Sequence, residues 1–141
     1  MEDKLEALSV GMFIRTPLGI DKIIYLRKQD EYGCNFDTQL EHNLFLNNER
    51  DNISIDGECF EKEEIKTSYN IIDILEVGDA IEIDVIDEDN YPTIMGINFA
   101  RIDNEVELAS IKDMLKNESA KLLTVITHEQ MEQRAYKVMS E

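Results

Sequence analysis

Between Thr67 and Ala100 the chain carries eight carboxylates and not one lysine or arginine. They are Asp73, Glu76, Asp79, Glu82, Asp84, Asp87, Glu88 and Asp89. In "AIEIDVI", residues 80 to 86, Ile81, Ile83 and Val85 alternate with Glu82 and Asp84. That is the two-residue period of a strand with one buried face. Residues two apart on such a face are separated by about 6.6–6.8 Å. Glu82 and Asp84 therefore begin a row of carboxylates that Asp87, Glu88 and Asp89 continue into the next turn, with Asp73, Glu76 and Asp79 extending it. A row of this kind suits lysine and arginine. It can stand in for a phosphate backbone in a basic groove, guided there by its field. The structural alternative is a solvated strand face, because outward polar residues are ordinary in antiparallel sheets.

Other residues with chemical potential lack the spacing their chemistry needs. "DEDN" at 87 to 90 offers oxygen ligands, but Pro92 falls where a calcium loop requires glycine and no glutamate closes the loop. Cys34, His42, Cys59 and His128 are zinc-ligand types without a close CxxC or HxxxH pair. "HEQME" at 128 to 132 opens like a zinc-protease helix, yet Glu132 occupies the place of the second histidine. There is no GxSxG, P-loop or GxGxxG. Carboxylates are too numerous for any two to be singled out as a general acid and base. The expectation is a protein that is not an enzyme and uses no cofactor or metal.

The composition bears on partners. Fourteen lysines and arginines stand against 31 aspartates and glutamates in 141 residues, a formal net charge of −17. That field disfavours direct nucleic-acid binding and anionic membranes and favours basic proteins and cations, within the roughly 10 Å that 0.1 M salt leaves unscreened. The 43% hydrophobic content is that of a globular chain. "MEDKLEALSVGMF" has no basic n-region, and no run of 18 apolar residues occurs. With the two cysteines read as reduced thiols, the expected location is the cytoplasm of a host cell.

The elements that must position these residues follow from periodicity and turn chemistry. "MFIRT" and "IDKIIYLRK" flank the turn "PLG" as a hairpin. "GCNFDTQLEHNLFL" holds one or two strands, and Asp56-Gly57 in "ISIDGECF" marks a two-residue hairpin. "EKEEIKTS" is a brief helix or a polar connector. "AIEIDVI" and "TIMGINFARI" form a second hairpin around "DEDNYP". Val106, Leu108, Ile111, Met114 and Leu115 share a helical period after the cap Asn104. "LLTVI" is a strand, and "THEQMEQRA" is a short helix with a Thr127/Gln130 capping box. A helical turn at 3 to 8 and an edge strand at "YKVM" complete the series. Phe13, Tyr25, Phe36, Phe45, Phe60, Tyr69 and Phe99 fall on strands and are expected in the core. Tyr32 and Tyr91 fall in turns, where a ring beside acids can anchor a protein.

One phrase occurs twice. "LSVGMFI" at 8 to 14 returns as "LEVGDAI" at 75 to 81, with Leu, Val, Gly and Ile at the same offsets. The shared grammar is an apolar turn, a glycine pivot, a strand, a turn and a strand. Internal duplication and convergence on a common way into a barrel strand both account for it. The fold class expected is mainly β with α additions (α+β): a small SH3-like barrel or roll of hairpins, then a helix and a short strand-helix-strand. It is read as one domain, 1–141, comprising a first hairpin half (1–66), a second, acidic hairpin half (67–103) and a helical C-terminal part (104–141).

"VGMFIRTPLGIDKI", "FDTQLEHNLF", "SYNIIDILEVGD" and "ITHEQMEQRAYKV" together resemble small acidic proteins encoded by phages and prophages of low-GC Gram-positive bacteria. That resemblance carries no functional residues with it. It implies a setting among accessory genes of mobile elements, where inhibitors of host defence such as anti-CRISPR proteins are frequent. The leading expectation is a non-enzymatic acidic inhibitor of DNA-mimic type, binding a basic host or phage protein that handles nucleic acid. Two alternatives belong to other classes. One is a small-ligand binder that sequesters a signalling nucleotide of host immunity, drawing on Arg15, Arg27, Arg50, Arg101 and Arg134. The other is a phage structural or assembly module.

Overall fold

A computed structural model describes residues 8–85 and 96–134. The helical turn expected at 3 to 8, except for Leu8, the turn bearing Asp87, Glu88 and Asp89, and the "YKVM" strand lie outside the described residues. The protein is mainly β, with a seven-stranded antiparallel half-barrel, a separate three-stranded sheet and a C-terminal helix. The chain divides into two compact units, residues 1–74 and 75–141.

The first unit is built by hairpins laid side by side. β1 (Phe13–Thr16), β2 (Gly19–Gln29), β3 (Gly33–Thr38), β4 (Asn43–Asn47), β5 (Asn52–Ile55) and β6 (Glu58–Glu61) pair in sequence order. After a short 3-10 turn at Lys62–Glu64, β7 (Lys66–Ser68) returns to the outer edge of β1. β2 pairs with β1 through residues 19–22 and with β3 through 23–29, with register shifts after Ile23 and Leu26. Such bulges bend a strand and increase its twist, which curls the sheet into the half-barrel. Inside the curl, residues on alternate positions meet across strands: Phe36 with Leu44, Leu44 with Ile55, Leu46 with Ile53, Ile53 with Phe60. All are buried, together with Ile14 and Ile23. Each contributes about 1.5–3 kcal/mol through removal of its surface from water.

The second unit is smaller. β8 (Ala80–Val85) is the centre strand, between β10 (Ala120–Ile126) and β9 (Gly96–Arg101). α1 (Glu105–Lys116) joins β9 to β10, and α2 (His128–Arg134) follows. Asn104 caps α1 by accepting a hydrogen bond from the Glu107 amide at 2.9 Å. Thr127 and Gln130 form the expected capping box: the Thr127 amide donates to Gln130 Oε1, and the Gln130 amide donates to Thr127 Oγ1. Leu108 and Leu115 of α1 are buried, whereas Val106 is exposed, so the apolar stripe starts at Leu108 and leaves Val106 out. The aromatic expectation divides as well. Phe36 and Phe60 are core, but Tyr25, Tyr69 and Phe99 stand in solvent. Among the described residues no helix is long and apolar enough to cross a membrane.

The repeated phrase is a repeated structure. Met12 N–H donates to Ser9 O, and Asp79 N–H donates to Glu76 O, each at 3.2 Å. Gly11 and Gly78, at the third place of these four-residue turns, have φ of +100° and +101°. Each glycine amide then donates to the end of its own hairpin, Gly11 to Ile23 O at 2.8 Å and Gly78 to Ile102 O at 2.7 Å. Ile23 and Ile102 answer with N–H bonds to Met12 O and Asp79 O, both at 2.9 Å. The matched Leu8/Leu75 and Ile14/Ile81 are buried in both copies. A Cβ on Gly11 would meet only the Tyr69 ring at ordinary contact distance, whereas one on Gly78 would press to 3.1 Å from His128 Cβ. Both Gly→Ala variants force an L-residue into a strained turn, at about 1–3 kcal/mol. Urea unfolding is expected to show the larger loss for Gly78→Ala, because only there does the methyl also crowd a neighbour.

Candidate functional site

The fourth residue of the second turn is Asp79, and its carboxylate is fully buried, with 0% of the residue exposed. It does not extend an acidic surface. A carboxylate removed from water must be hydrogen-bonded. Asp79 Oδ2 accepts from the Glu76 amide at 2.8 Å and Oδ1 from the His128 amide at 3.1 Å. One side chain thus closes its own turn and holds the first residue of α2 against it. The glycine before it leaves room for the His128 ring to lie over the turn. Glu76 Oε1 then stands 2.9 Å from His128 Nε2, and Glu129 Oε1 stands 3.7 Å from the same nitrogen. In the first copy of the turn the equivalent of Glu76 is Ser9, whose hydroxyl bonds the Tyr69 hydroxyl instead.

Glu82 and Asp84 do share one face of β8, as alternation requires, while Ile81 and Ile83 turn to the buried side. Their neighbours across the sheet change the character of that face. Opposite Glu82 stand Phe99 and Thr124, and opposite Asp84 stand Ile97 and Lys121. Phe99 and Ile97 are 68% and 66% exposed, unusual for large apolar side chains in a sheet. Thr124 Oγ1 donates to Glu82 Oε1 at 2.8 Å and fixes that carboxylate. Ala80 and Arg101 pair at the end of the same face, and the bulge residue Leu123 and the strand end Ile126 are exposed beside it. Among the described residues the face is therefore two central carboxylates bordered by apolar groups, with a cation at each end. Asp73 belongs to the first unit, where it accepts a hydrogen bond from Ser68 Oγ at 2.9 Å. Asp87, Glu88 and Asp89 lie outside the described residues.

The zinc-type residues do not assemble. Cys34 on β3 and Cys59 on β6 are free thiols with β4 and β5 between them. His42 binds Asp56 within the first unit, and His128 binds Glu76 within the second. Two of the arginines are engaged within the first unit: Arg15 is buried, with Nη1 donating to Ile74 O, and Arg27 pairs with Asp37 and Asn43.

A small cavity opens at one end of the half-barrel, walled by Ile14, Leu18, Leu40 and Ile55. Asp21 and His42 supply polar atoms to it. Asp21 Oδ1 accepts from the Lys22 and Leu40 amides, while its buried Oδ2, 4.0 Å from His42 Nε2, has no hydrogen-bond partner among the described residues. The cavity volume is ≈ 30 Å³, the scale of a water molecule and far below the roughly 300 Å³ at which ligand pockets begin. A nucleotide does not fit it.

In comparisons with protein families, curated proteins and solved structures, nothing matches this chain.

Behind the cavity, Asp56 accepts from the Asn43 amide at 2.9 Å and contacts His42 Nδ1 at 2.6 Å. The Asn43 amide, and after it His42, hold the Asp56 carboxyl below its ordinary value of 3.8. A carboxyl depressed by folding stabilises the folded state above its unfolded value, and that contribution is lost as pH falls through the folded value. Asp56→Asn keeps the turn-favouring shape without the charge. Wild type is expected to be the more stable of the two at neutral pH, with the difference fading as unfolding is followed below pH 3.8.

Proposed function

We propose that this chain is a non-enzymatic acidic inhibitor that binds a basic, nucleic-acid-handling protein through the outer face of its three-stranded sheet. The observation that carries the reading is the juxtaposition on that face of Glu82 and Asp84 with the exposed Ile97 and Phe99. Carboxylates select lysine and arginine and set the approach, while an aromatic ring beside them supplies burial that charge alone does not. The net charge of −17 steers such a partner from beyond contact distance and repels nucleic acid competing for the chain. The resemblance to phage- and prophage-encoded proteins supports the same role, a block on a host enzyme that itself grips DNA or RNA. The contact differs from pure phosphate mimicry in its apolar border. A partner groove with hydrophobic residues between its basic side chains fits it best.

The experiment is a pull-down from host lysate at low salt, followed by titration of the captured protein with purified variants. Glu82→Lys/Asp84→Lys sets like charges against a basic groove, and affinity should fall at least about 100-fold with an unchanged circular dichroism spectrum. Phe99→Ala should cost about tenfold or more. Wild-type affinity should decline with added salt. Retained affinity in the double reversal, or indifference to salt, refutes the electrostatic mechanism.

A further inference from the structure

The cluster at the second turn is not used by the partner-binding face, and it has the make-up of a metal site. Glu76 Oε1, His128 Nε2 and Glu129 Oε1 all lie within 4.8 Å of one another. Zinc bonds of about 2.0–2.2 Å place donor atoms roughly 3–3.6 Å apart around one ion. The distances here, 2.9 Å and 3.7 Å from the imidazole nitrogen, bracket that range. Side-chain rotations that draw the two carboxylate oxygens, within 4.8 Å of each other, onto the imidazole nitrogen's side would bring all three to one centre. Two carboxylates converge on a single ring nitrogen. An ion at the common point would take a lone pair from each of the three.

The surroundings are those of a positioned site. Asp79, with 0% exposure, binds the backbone amides of both Glu76 and His128 and so fixes where two of the three ligands leave the chain. Gly78 leaves the space that the His128 ring needs. The three ligands are themselves partly exposed, so an ion can enter from solvent.

The geometry points to a binding site for a divalent first-row transition metal, Zn²⁺ foremost, held by Glu76, His128 and Glu129 with its remaining positions open to water. Imidazole in the set selects such metals over Ca²⁺ and Mg²⁺, which prefer oxygen alone. Asp79 is its positioning residue.

The test uses the full-length chain with Cys34→Ser and Cys59→Ser, so that thiols contribute nothing, stripped by chelator and desalted. Zn²⁺ is titrated calorimetrically in excess Mg²⁺, and Co²⁺ is followed by its visible d–d absorption. One equivalent of each should bind. His128→Gln, which keeps a hydrogen-bonding side chain but no imidazole, should abolish that equivalent. Glu129→Gln should weaken it at least about tenfold, and Asp79→Asn about 10- to 100-fold, the usual cost of losing an outer-shell partner. His42→Ala, in the other unit, should change nothing. Failure of the folded protein to bind one equivalent, or equal binding by His128→Gln, overturns the site and leaves the cluster an ion pair. Should His128→Gln unfold, the Glu129→Gln titration decides alone: undiminished affinity overturns the assignment.

Discussion

The second unit depends on one sealed carboxylate. Asp79 gives up hydration entirely, and an unpartnered charge in that position costs several kcal/mol even after the protein relaxes around it. Its partners therefore have to be present whenever the unit is folded. Two of them are backbone amides, of Glu76 in the turn before β8 and of His128 at the start of α2. The demand of one side chain for donors thus joins points 52 residues apart, Glu76 and His128. Charge-assisted bonds to amide donors are among the stronger ones in proteins. The closeness of Gly78 to the His128 ring belongs to the same constraint, because the helix can approach only where the turn has no side chain.

Seen against the first copy, this brace is an addition to a shared frame. Both turns use the same glycine geometry and the same pair of hydrogen bonds to the end of the hairpin. The frame needs apolar residues at its first and last places and glycine at its pivot, and the two phrases agree at all three as well as at the valine before the glycine. The second and fifth places face other demands. Ser9 and Met12 occupy them in the half-barrel; Glu76 and Asp79 occupy them in the small unit. A common backbone solution has two different sets of side-chain duties.

This division explains what could be read in advance. Hairpins, caps and the glycine pivots are local: Asp56-Gly57, Asn104 and the Thr127/Gln130 box each act within a few residues, and the structure has them where the sequence places them. The fates of Asp79, Glu76 and His128 are not local. A window around residue 79 offers a carboxylate among carboxylates, and nothing nearby distinguishes the buried one from Glu82. The signal available was the turn itself, since an Asp directly after a positive-φ glycine sits where its carboxylate can fold back onto the amide of the turn's first residue. Phe99 was missed for a related reason. Its strand alternates correctly, but which face of a three-stranded sheet is covered depends on elements elsewhere in the chain, and the face that bears Phe99 is left open.

The acidic character of residues 67 to 100 consequently means less as a run than as a set of separate placements. Asp73 works in a 3-10 turn (Ile71–Ile74) of the first unit, Asp79 in an interior, Glu76 against a histidine, and among the described residues only Glu82 and Asp84 stand together on a sheet face. There the neighbouring strands bring Lys121 and Arg101 as well as Ile97 and Phe99. Among the described residues the charges on that face are two carboxylates and two cations, while the whole chain is strongly negative. Long-range attraction and short-range selection are then separable. In the proposed contact the net charge would govern how fast a basic partner arrives, and the apolar border around the two carboxylates whether it stays.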